Sequence, residues 1–91
     1  MQRDLIATIE RGQAVARLMA EDAFHEAVND VSTIHLEGMS SAPPGETGKD
    51  ARDYHHMLHY ALAELIGTLR GYVSAGEEAM QLALLTDEDP E

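Results

Sequence analysis

Apolar side chains along residues 51–85 fall at Leu58, Leu62, Leu65, Leu69, Tyr72, Gly76, Ala79 and Ala83, in alternating steps of four and three. That spacing keeps them on one face of an α-helix, and a stripe of this period has to be covered by a second helix, from the same molecule or another. Upstream, Leu5, Ile6, Ile9, Ala16 and Met19 recur at helical spacing, and Phe24, Ala27, Val28, Val31, Ile34 and His35 carry an apolar face toward Gly38. Residues 1–38 are therefore predicted as a first helical arm. Asp22, just ahead of Ala23-Phe24-His25-Glu26, has the side chain of a helix cap. A break near residues 21–22 is one reading, and a single helix from Arg3 to Glu37 is the other.

Between the arms, residues 39–50 include Ser40-Ser41-Ala42-Pro43-Pro44-Gly45-Glu46-Thr47-Gly48, a run of helix-ending and turn-forming residues. Asp50 is placed to cap the second arm over residues 51–85, which spans about 50 Å at about 1.5 Å per residue. Residues 86–91, acidic and proline-containing, are predicted as a disordered tail. The fold expected is all-α: an antiparallel helical hairpin with a long second helix, assembled into an oligomeric bundle.

Ala63, Gly67, Gly71, Ala75 and Ala79 recur every fourth position and make a stripe of small residues beside the leucines. Each internal glycine costs ~1 kcal/mol relative to alanine, a penalty that close backbone packing offsets. Ala63, Gly67, Gly71 and Ala75 are accordingly the expected sites of close helix packing. The expected interface consists of Phe24, Val28, Val31, Leu58, Leu62, Leu65, Leu69 and Tyr72, part of which must serve as the intramolecular seam.

Composition sharpens the case for assembly. The 91 residues are 44% hydrophobic, yet much of that is alanine, with one Phe, three Tyr and no Trp. At ~25 cal/mol per Å² buried, so few large side chains give a monomer a thin core, and association is the usual remedy. The net charge of −11 is weighted toward the C-terminal end, where Glu77, Glu78, Asp87, Glu88, Asp89 and Glu91 stand without a basic neighbour. Binding to nucleic acid or to anionic membranes needs clustered Lys and Arg, which this chain lacks. The acidity suits solubility, a basic protein partner, or carboxylates spaced like phosphates. With no cysteine, neither disulfides nor thiolate metal sites contribute. Met1-Gln2-Arg3-Asp4 leads into an amphipathic segment, so neither an export signal nor a membrane span is expected.

The group Tyr54-His55-His56-Met57-Leu58-His59 is the one stretch that invites chemistry. His55 and His59, four apart, share a helix face as two imidazole ligands to one metal would. The pattern stops there. Asp53-x-x-His56 and Asp22-x-x-His25 lack the further carboxylates of a di-iron bundle, and no glutamate stands between His55 and His59 as in the zinc protease motif. Structural histidines are the expectation, with no metal and no cofactor, and pH sensitivity at a helix interface is the second reading. No phosphate-binding loop or nucleophile elbow is present, so an enzyme is not expected.

Arg11-Gly12, Leu18-Met19, Asp22-x-Phe24-x-Glu26-Ala27, the polar Pro/Gly loop, Arg52, Leu58, Ala61-Leu62, Leu65, Leu69 and Gly76 with Ala79 form an arrangement over residues 11–82. It resembles short helical-hairpin proteins that tailed bacteriophages and prophages encode near head and portal genes. Glu77 stands where a basic residue is usual in that pattern, and no aromatic lies near His35. The resemblance implies a non-enzymatic structural or assembly protein of the virion. Its partners would be itself or a larger phage structural protein, and its location the host cytoplasm during assembly or the virion. A small acidic anti-host inhibitor that mimics nucleic acid is the alternative, and a histidine-based metal-binding helical protein a further one.

Overall fold

The computed structural model describes residues 2–87, with side chains for residues 4–85. Its elements are α1 (Gln2–Met19), α2 (Asp22–Ser41), a short 3-10 turn (Gly45–Gly48) and α3 (Lys49–Asp87), with no strand among the described residues. The expected first arm is thus two helices. At the end of α1 the bonding pattern tightens: Ala20 N–H is shared between the carbonyls of Ala16 (3.1 Å) and Arg17 (3.2 Å), and Glu21 N–H reaches Leu18 (3.1 Å). Such i−3 bonding satisfies the last carbonyls and ends the ladder. Asp22 then opens α2 with its carboxylate in the first turn, where the helix dipole favours negative charge.

Three boundaries differ from the sequence reading. Helix α2 continues beyond residue 38 to Ser41, whose hydroxyl donates back to Glu37 O at 2.8 Å. Helix α3 begins at Lys49, so Asp50 lies in its first turn instead of capping it. Residues 86 and 87 of the expected tail are helical, and residues 88–91 lie outside the described residues.

The chain divides into two compact units, to which α3 contributes successive parts: Met1–Glu21 with Gly67–Glu91, and Asp22–Ile66. In the first unit α1 runs antiparallel to the later part of α3. Ile9 shares a groove with Met80, while Met19 shares another with Arg70, so residue order reverses between the two helices. In the second unit α2 and the early part of α3 form the expected antiparallel hairpin, with Ser32 opposite His59 and His35 opposite His55.

The hairpin turn is fixed by backbone needs that its residues meet. Gly45 has φ +76, the left-handed region that favours glycine. Gly48 is buried, and a side chain there would run into the Pro43 carbonyl. From the start of α3, the Arg52 guanidinium donates to Pro43 O at 2.6 Å and to Gly45 O at 2.8 Å, tying the beginning of the turn to the helix. Replacing Arg52 with methionine is expected to cost about 1 kcal/mol for the lost carbonyl bonds. Chemical denaturation, with faster amide exchange over residues 45–48, checks this. Nearby, Lys49 pairs with Asp53 at 2.8 Å, and that hydrogen bond holds the Asp53 carboxyl below its ordinary range. Both side chains are solvated, so the pair contributes little to stability.

Candidate interaction surface

The first unit is built on a glycine crossing. A Cβ placed on Gly12 would lie 2.9 Å from Gly76 Cα and 2.9 Å from the Tyr72 carbonyl oxygen. One placed on Gly76 would lie 3.0 Å from Gly12 Cα. The two backbones therefore touch, with no room for a side chain on either side. Beside the crossing, the Arg11 guanidinium sits 4.2 Å from the centroid of the Tyr72 ring, a cation–π contact that closes one edge of the seam. Ala79, one turn further along α3, is the one buried apolar side chain among the described residues, at 4% exposure. The other edge opens as a shallow groove lined by Ile9, Ala16, Val73 and Met80.

Close packing within the chain thus falls on different glycines from those the four-residue stripe picks out. Nothing lies within 4 Å of a Cβ built on Gly67 or Gly71, Ala63 is exposed, and Ala75 is half-buried. Helix phase explains this. In the first unit Leu69, Gly76 and Ala83 recur every seventh residue and stay in the covered seam, whereas the four-residue repeat drifts around the helix, exposed at Gly67 and Gly71 and reaching the seam only at Ala75 and Ala79. The same phase corrects the leucine stripe: Leu65 is exposed, and the adjacent Ile66, with Val73 a heptad later, is half-buried instead.

In the second unit the covered seam is partly polar. His55 and His59 do share a face, and that face is turned to α2. His59 Nε2 is 3.1 Å from Ser32 Oγ, and His55 Nδ1 is 3.0 Å from His35 Nδ1. The His55 ring lies over Gly38, where any Cβ would overlap the imidazole, and Tyr54 meets it edge-on at a centroid separation of 5.1 Å. Gly38 is thus the slot that admits the ring. Asp53 is paired with Lys49 and not with His56. Among the described residues, no three histidine, cysteine or carboxylate side chains converge as metal ligands.

The eight expected interface residues divide. Phe24, Val28, Leu58, Leu62, Leu69 and Tyr72 are half-buried within their units. Val31 and Leu65 are not covered, at 40% and 53% exposure, and Ile34 and Tyr54 join them at 58% and 55%. Helical spacing puts Ala27, Val31 and Ile34 along one flank of the α2 seam, and Tyr54, Ala61 and Leu65 along one flank of the α3 seam. In an antiparallel pair those two flanks lie on the same side, so the second unit presents one uncharged apolar face built from both helices. Ile34 and Tyr54 belong to it although the leucine pattern did not single them out. Their signal is that each stands next to a seam residue, His35 or His55, on the same helical flank.

Comparison of the chain with family models, curated proteins and solved structures finds no match. No described helix is long and apolar enough to cross a membrane.

Proposed function

We propose that this chain is a non-enzymatic bacteriophage structural or assembly protein that works by helix–helix adhesion, using the Val31–Ile34–Tyr54–Leu65 face of its second unit. The observation that carries the adhesive part is the contrast between that uncovered face and a chain with one buried apolar side chain among its described residues. Apolar surface this contiguous is stabilised by being covered. The phage assignment is supported by the resemblance described above, whose Arg11-Gly12 element corresponds here to the cation–π contact and the glycine crossing.

The proposed first partner is a second copy. A protein of net charge −11 repels its own copy across most of its surface, so two copies meet through a face that carries no charge. Raising the salt concentration screens that repulsion and is expected to shift the protein toward dimers or larger species in sedimentation velocity. A monomer at all salt concentrations would overturn self-association, and absence from purified particles would overturn the virion role. The acidic composition favours a second reading, an inhibitor that occupies a basic groove on a host protein. That complex would weaken as salt rises, the opposite dependence.

A further inference from the structure

All five histidines of the chain lie in the second unit, and two of them bond to each other across its seam. We propose that the His35–His55 contact makes the α2–α3 unit acid-sensitive, holding the hairpin closed while at least one imidazole is neutral and loosening it when both are cationic.

The argument rests on donors and acceptors. With the two Nδ1 atoms 3.0 Å apart, one must carry the hydrogen and the other must offer its lone pair. The accepting ring is therefore neutral, with its proton on Nε2. The pair accommodates one extra proton, on the donating ring, and not a second. Two imidazolium ions would set two N–H groups against each other, with ring centroids 5.2 Å apart across a half-buried seam. The neighbouring contact behaves differently. Ser32 Oγ both donates and accepts, so its bond to His59 survives with the imidazole neutral or charged.

The contacts of the two rings include no carboxylate among the described residues. From α2 the His55 ring meets His35 and Gly38, and from its own helix Tyr54. Arg52, one turn before His55, is held by the turn carbonyls, and Asp53 by Lys49. Among the described residues no carboxylate forms an ion pair with either ring. The bonded Nδ1–Nδ1 pair has room for one extra proton, whereas the separated rings of an unfolded chain have room for two. The unfolded state thus binds more protons, and stability falls as pH falls.

Amide exchange on the full chain between about pH 7.5 and 5, the range in which imidazoles ordinarily change charge, tests this. After correction for intrinsic rates, protection of α2 amides is expected to fall, approaching a limiting slope of about tenfold per pH unit for a one-proton difference. Protection of α1, in the histidine-free unit, is expected to hold. The variant His35→Asn offers His55 Nδ1 either a donor or an acceptor without a second titrating ring, and should flatten the α2 slope, while His56→Asn should leave it unchanged. Nitrogen-15 imidazole spectra of the wild-type protein give a readout that needs no variant: one Nδ1–H and one Nε2–H tautomer at neutral pH. Equal loss in α1 and α2, an unflattened His35→Asn slope, or two imidazolium rings with α2 protection intact would each overturn the proposal.

Discussion

Alanine at Gly12 or Gly76 is expected to destabilise the α1–α3 unit by ~1–3 kcal/mol, while alanine at Gly67 or Gly71 is expected to stabilise the chain by up to ~1 kcal/mol. All four glycines lie inside helices, so each substitution brings the same gain in helix propensity. What separates them is space. At Gly12 and Gly76 the new methyl group meets backbone atoms of the facing helix at about 3 Å, and backbone cannot rotate aside as a side chain would. The helices must separate, and the Arg11–Tyr72 contact and the covering of Ala79 go with them. At Gly67 and Gly71 the methyl group meets nothing within 4 Å. Denaturant midpoints followed by circular dichroism decide the matter, and four alanine variants of equal, raised stability would show that the crossing does not exist. Leucine at Gly76 extends the series and should abolish protection of α1 from amide exchange. A stabilised Gly67→Ala, Gly71→Ala protein that still assembles would also separate that stripe from the contacts between copies.

The double variant Ile34→Glu, Leu65→Glu is expected to weaken self-association on the order of a hundredfold while leaving helicity unchanged. The estimate takes about 1.4 kcal/mol at each of two central apolar positions, or one factor of ten apiece. Neither side chain is covered within the chain, so the seam residues beside them, His35 and Ile66, keep their places. Placing carboxylates on this uncharged face also extends the repulsion of a −11 protein to the surface where copies would meet. Ile6→Glu is the control: Ile6 is equally exposed but belongs to the first unit, and its substitution should leave association as it was. Sedimentation at moderate and high salt distinguishes the outcomes. Unchanged association in the double variant would remove this face from the proposed function.

Much of the helical architecture could be read from residue spacing. Leu58, Leu62 and Leu69 lie in the covered seam because a period near 3.6 leaves them no other face, and Pro43, Pro44 and Gly45 end one helix because proline lacks an amide hydrogen and Gly45 takes a positive φ. The division at Ala20–Glu21 was one of two readings. Propensity alone does not separate a helix break from an aspartate tolerated inside one long helix; the tightened bonding of Ala20 and Glu21 does, with Asp22 in the first turn of α2.

The pattern of apolar and polar residues by itself determined that this chain is helical, that its helices pair, and that its large side chains are too few to build a deep core. Tertiary structure decided which neighbour each stripe meets. A period defines a face but not its rotation relative to a partner, and a shift of one residue exchanges Leu65 for Ile66. The same geometry made Gly12 and Gly76 a contact and left Gly67 and Gly71 open, though all four are identical mid-helix glycines. It also turned His35 and His55 toward each other, 20 residues apart in sequence, a relation that no local spacing encodes.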